Sequence, residues 1–166
     1  MTDLRVAALL DHVHDATDIL RLDYEARLLR RKRLVTDGGR GVLIDLPALT
    51  DLSDHAGLRL EDGSEVALHA ADEAVMVVRA GPGASLARLA WHIGNRHTPC
   101  RIEADHLVIR DDHVLRAMLS RLGAVLSDET RPFRPEGGAY GHGRTMGHDH
   151  DHGPGHGNDH GHGHDR

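Results

Sequence analysis

Two extended, apolar-rich runs flank a central TDGG in the segment from Arg27 to Leu46, RLLRRKRLVTDGGRGVLIDL. Extended runs on both sides of a turn mark paired strands, and Gly38 and Gly39 supply a turn that tolerates positive φ, so the segment predicts a hairpin. The same reasoning applies to GLRLEDGSEVALHA, where Leu58 and Leu60 alternate with polar residues before an Asp62 and Gly63 turn and Val66 and Leu68 resume the alternation. Together the two hairpins predict a small all-β N-terminal domain, placed at residues 1–71.

The period changes after Glu73. AVMVVRA is a short apolar run, GPG breaks it, and ASLARLAWHIGNRH puts Leu86, Leu89, Ala90 and Ile93 at helical spacing, with Gly94 and Asn95 suited to the helix end. CRIEA and HLVIR then read as two short strands hinged near Asp105. DDHVLRAMLSRLG predicts a second helix, capped by Asp111 or Asp112, with Val114, Leu115, Met118 and Leu122 on one face. A last strand begins at AVLS. The order βαββαβ is the split βαβ arrangement of ferredoxin-like domains, so the chain is expected to be α+β, with this second domain at residues 72–140.

From residue 141 to 166 the pattern vanishes. The stretch has almost no apolar side chains to offset the entropy of ordering a backbone, and it is expected to be a disordered His-rich tail. Eight of the chain's sixteen His lie there: His142, His148, His150, His152, His156, His160, His162 and His164. They alternate with Gly, Asp, Asn and Pro, unlike the unbroken run of a purification tag. Neutral imidazole is a good ligand for nickel, zinc and copper, so the tail is a candidate metal-gathering arm. About 26 flexible residues reach ~28 Å, comparable with the diameter of a small domain.

Composition narrows the function classes. A formal charge of −6 argues against a general binder of nucleic acid or anionic membranes, and 2% aromatic content removes the stacking platforms that single-stranded nucleic acid needs. The basic run RLLRRKR at Arg27 to Arg33 is read as a charged strand edge that resists edge-to-edge pairing. Cys100, the single cysteine, excludes an internal disulfide framework, and no long apolar segment predicts a membrane span; the cytoplasm is the expected compartment. No phosphate-binding glycine loop, HExxH or nucleophile elbow is present, so catalysis is not expected.

Within the folded part, His97 in GNRHTPC is the leading candidate ligand, because it follows a helix C-terminus whose partial negative charge favours a cation. One imidazole cannot hold a first-row divalent ion alone. A twofold dimer would bring two copies together, and tail imidazoles could complete the shell. His113, beside Asp111 and Asp112, is a weaker, peripheral candidate, with a solvated and capped helix start as the competing reading. His106 is a further candidate, whereas His12, His14, His69 and His92 receive no role. Cys100 reads as a buried strand residue, with a soft secondary contribution near His97 as its functional alternative.

The segments IGNRHTPCRI at Ile93 to Ile102, DDHVLRAMLSRLGA at Asp111 to Ala124 and PFRPEGGAYGHG at Pro132 to Gly143, with RKRLVTDGGR, AADEAVMVVR and the His-rich end, resemble the UreE family of urease accessory proteins. The resemblance runs from about Leu22 onward. It implies a cytoplasmic nickel metallochaperone: an N-terminal β-rich domain for protein contacts, and a ferredoxin-like domain that forms a homodimer around His97. It further implies Ni(II) as cargo, with Zn(II) or Cu(II) as competitors, and delivery to apo-urease with a urease maturation GTPase. This chain departs from some relatives in IRDDHV, where Asp111 stands at a position that a His can occupy. The alternative to delivery is a nickel or zinc buffer without a delivery partner.

Overall fold

A computed structural model describes residues 3–137; the tail histidines from His142 to His164 therefore lie outside the described residues. The first half of the chain is all β. Strands β1 (Leu4–Leu10), β2 (Ala16–Leu22), β3 (Leu28–Val35), β4 (Gly41–Asp51), β5 (Gly57–Leu60) and β6 (Glu65–Ala70) form one sheet in the order β2-β6-β5-β1-β4-β3. Both expected hairpins are present. Val35 pairs Gly41 across the first turn, where only Gly39 takes positive φ (83°), and Leu58 pairs Val66 across the second, with Gly63 at φ 86°.

The sequence reading missed β1 and β2. Neither belongs to a local hairpin: β1 runs parallel to β4 and antiparallel to β5, and β2 runs parallel to β6, all pairings remote in sequence. The first hairpin also extends past Leu46. Pairing lapses between Arg31 with Asp45 and Leu29 with Thr50, and this irregular stretch accommodates Pro47, which cannot donate to a ladder.

Leu20 and Leu22 of β2 share a single core with Leu29 of β3 and with Leu58 and Leu60 of central β5. Strands at opposite edges can meet in one core only if the sheet curls strongly. The edges are tied where the β3–β4 turn reaches β2: Asp37 N–H donates to the Ile19 carbonyl at 2.8 Å, and the Asp18 carboxylate accepts from Thr36 and from Gly38 N–H. Within β3, Arg30 to Arg33 are exposed on the free edge, as the charge run predicted.

The second half has the expected βαββαβ order: β7 (Asp72–Ala80), α1 (Leu86–Asn95), β8 (Arg101–Ile102), β9 (Leu107–Arg110), α2 (His113–Arg121) and β10 (Ala124–Pro132). The sheet order is β10-β7-β9-β8, antiparallel throughout. The run AVMVV is apolar at every position because β7 is covered on both faces. Met76 and Val78, with Leu107 and Ile109, pack under Leu89 and Ile93 of α1 and Leu115 and Leu119 of α2.

Val75, Val77 and Val108 point to the opposite face, where Phe133 and Tyr24 cover them. Tyr24 comes from the first half of the chain and meets Phe133 edge-on, ring centres 5.4 Å apart. Its N–H donates to Glu73, Arg110 pairs with Glu25 at 3.0 Å, and buried Arg27 donates to the Phe133 carbonyl. Among the described residues, no helix is long and apolar enough to cross a membrane.

Candidate metal centre

The candidate centre is built from the end of α1. Ser85 caps the helix start, its hydroxyl accepting from Arg88 N–H, and Leu86, Leu89, Ala90 and Ile93 turn inward as their spacing requires. The helix ends at Asn95, in agreement with the expected Gly94 and Asn95 terminus. Gly94 remains helical, Arg96 N–H returns to the Ile93 carbonyl at 3.1 Å, and His97 N–H returns to the Gly94 carbonyl at 3.0 Å. His97 is the residue that goes left-handed, at φ 54°, the only non-glycine with positive φ among the described residues. Glycine usually holds this post because a Cβ costs energy there. Pro99, two residues later, prevents the helix from resuming.

This backbone presents the His97 side chain to solvent beyond the last turn, where the negative end of the helix dipole favours a cation. An imidazole kept at a strained, exposed post fits a ligand better than a packing residue. It is also solitary: no group of three or more His, Cys, Asp or Glu able to hold a metal occurs among the described residues.

His113 opens α2 and is exposed. The carboxylates expected to help it are engaged elsewhere. Asp112 is the N-cap and accepts from Val114 and Leu115 N–H at 2.8 and 2.9 Å, while Asp111 binds Arg116 at 2.6 Å. The predicted face of α2 is corrected at two positions: Leu119, outside the expected set, is buried together with Leu115, whereas Val114 is 52% exposed. His106 hydrogen-bonds with Asp105 at 2.6 Å. Cys100 precedes β8 rather than lying within a strand and is half-buried; burial pushes its thiol up to about 11, which disfavours the thiolate in the metal-free protein.

A feature missed in the sequence lies beside His97. Val114, Ala117, Met118 and Leu122 line an open groove between the two helices, flanked by His92, Arg96, His113 and Arg121. Trp91, 62% exposed, stands on the outer side of α1. It falls outside the stripe made by Leu86, Leu89, Ala90 and Ile93, and that displacement was the available signal for an outward apolar face.

Comparison with known proteins agrees with this architecture. The profile of the UreE urease accessory protein, N-terminal domain, matches residues 6–80, and that of the C-terminal domain matches residues 73–165. The urease accessory protein UreE of Paracoccus denitrificans (strain Pd 1222) is 64% identical over 124 residues, covering 75% of this chain and 77% of the relative. That of Cereibacter sphaeroides is 58% identical over 134 residues, covering 81% and 71%. The protein of the same name from Ruegeria pomeroyi is 51% identical over 137 residues, covering 82% and 90%. By profile, identity and coverage, the chain belongs to the UreE urease accessory protein family.

Proposed function

We propose that this chain is a non-enzymatic Ni(II) metallochaperone of urease maturation, acting in the cytoplasm as a homodimer. In this reading residues 1–71 make protein contacts, residues 72–140 dimerise and hold the transfer site, and residues 141–166 gather metal. The observation that carries it is His97: exposed, left-handed, at a helix C-terminus, and without companion ligands among the described residues. Such a residue becomes a site when a second copy and the tail imidazoles supply the remaining donors. The apolar groove beside α1, with exposed Trp91 and Val114, supplies the face on which two copies pack. Twofold packing close to the end of α1 sets two His97 side chains against one ion.

Tail imidazoles from His142 to His164 capture Ni(II) and pass it to the His97 pair at high effective concentration. The ion leaves when the maturation GTPase and apo-urease offer a more complete ligand shell. His113 contributes at most a peripheral site. Zn(II) and Cu(II) compete for the same imidazoles, because affinity alone ranks copper above nickel. Protons compete as well, so affinity falls as pH drops through about 6.5.

Calorimetric titration with Ni(II) and Zn(II), paired with light scattering, tests the reading on the full chain, on a chain ending at Gly141 and on His97→Ala. The expected result is one tight ion per dimer that survives truncation and disappears in His97→Ala. Unchanged tight binding by His97→Ala sinks the assignment. Loss of all binding on truncation moves a storage or buffering role ahead.

A further inference from the structure

Beside the junction of the two halves lie two adjoining cavities of opposite character. The first, of about 320 Å³, is floored by the aliphatic side chains of Leu22, Leu52, Ala56, Leu68 and Ala70. Its polar lining is Arg27, Ser53, His55, His69 and Arg134, with no carboxylate, in a chain that carries 26 acids against 20 Lys and Arg. Arg134 is exposed and forms no ion pair with the described residues. His55 keeps Nδ1 near Asp11, at 3.3 Å, which leaves its Nε2 as the second polar atom.

The second cavity, of about 240 Å³, shares Arg27, Ser53 and Arg134 with the first. It adds Asp51, Asp54 and Glu136, and it reaches Pro99, two residues beyond His97. Asp51 already accepts from Ser53 and Glu136 pairs with Arg101, whereas Asp54 meets no cation among the described residues.

We propose that this paired cleft is a docking site for the C-terminus of a partner protein. The last residue enters the first cavity, its aliphatic side chain on the leucine and alanine floor and its α-carboxylate on Arg134 with the imidazole of His55 or His69. An aspartate or glutamate side chain suits the cavity less well, since its anion sits at the end of a short stem and leaves the floor uncovered. The preceding residues cross Arg134 into the acidic cavity, where a lysine or arginine meets Asp54. Recognition therefore combines a terminal carboxylate, an aliphatic last residue and an upstream base. Terminus capture here would bring the partner to the loop that follows His97; that consequence rests on the metallochaperone reading, whereas the binding itself does not.

The test is a metal-free ¹H–¹⁵N titration of the full-length protein with an N-acetylated hexapeptide ending in Lys-Gly-Leu and bearing a free carboxylate. Shifts are expected at the amides of Leu52 to Ala56 and Leu68 to Ala70 and at Arg134 Nε, with a Kd on the order of 10⁻⁴ M. The C-terminally amidated peptide should bind about tenfold more weakly or worse, as should the free acid with Arg134→Gln or Arg134→Glu. His97→Ala should bind the free acid like the parent, which separates this outcome from failure of the metal site. Equal binding of the amidated peptide, equal binding by both Arg134 variants, a preference for an amidated peptide ending in Glu, or no shifts at millimolar peptide would each overturn the proposal.

Discussion

Replacing His97 with glycine should make the protein more stable and less able to hold metal. In the left-handed conformation at φ 54°, a residue with a Cβ carries a cost of roughly 1–2 kcal/mol that glycine does not. Glycine returns part of this gain through the entropy of the unfolded chain, about 0.4–1 kcal/mol. No side-chain hydrogen bond of His97 to another described residue offsets the exchange, and the Gly94 carbonyl still receives the residue 97 N–H. The net expectation is a gain of about 0.5–1 kcal/mol, or an increase in Tm of about 1–4 °C for a chain of this size. The control is His97→Ala, which keeps the Cβ and should stay within about 0.5 kcal/mol of the parent. Urea denaturation with a chelator present, at one fixed protein concentration because association shifts apparent stability, measures this arm. Ni(II) calorimetry measures the other, where both variants should lose the tight ion. A His97→Gly protein less stable than its parent would mean that the imidazole holds the fold. One that kept the tight ion would mean that the strained post serves something other than metal.

Glu65 provides a pH prediction: hydrogen bonds from His14 N–H, the Arg59 guanidinium and Asp15 N–H hold its carboxyl at about 2, below the usual 4.5. A depressed folded-state value contributes stability above about 4.5 that is lost as pH falls toward 2, so Glu65→Gln should flatten the acid limb of a CD-monitored unfolding curve; an unchanged limb would refute the assignment. Phe133→Ala empties the junction between the two halves, where the ring is 1% exposed and meets Tyr24; urea unfolding should show a loss of about 3–5 kcal/mol, and a loss below about 1 kcal/mol would mean that the junction contributes little.

Legibility in the sequence followed the range of each interaction. The hairpins at Gly39 and Gly63 and both helices announce themselves locally, through turn residues, a cap at Asp112 and a stripe at Leu89 and Ile93. Strands β1 and β2 do not, because their parallel partners Val42 and Ala67 lie tens of residues away and no turn marks the pairing. Pro47 concealed the far end of β4 for a related reason: only the lapse in register shows why it is tolerated. At the candidate centre, His97 was visible by chemistry and position, but its conformation was not. Gly94 and Asn95 mark the helix end in the sequence and the helix does end at Asn95, but nothing local shows that the left-handed turn falls on the histidine itself. The cleft at Arg134 was invisible, since residues 22, 52–56, 68–70 and 134 meet only after both sheets have formed.

The plug formed by Tyr24 and Phe133 constrains any attempt to recombine this protein with its relatives. A chimera joined between Ala70 and Asp72 exchanges two sheets along an apparently clean seam. It would nevertheless leave Tyr24, Glu25 and Arg27 of one parent against Phe133, Glu73 and Arg110 of the other. These side chains form a lock whose pieces are scattered over more than a hundred positions of the chain. Exchangeable halves are therefore defined by matched sets of six residues, and a crossover point chosen from the linear sequence alone divides the lock.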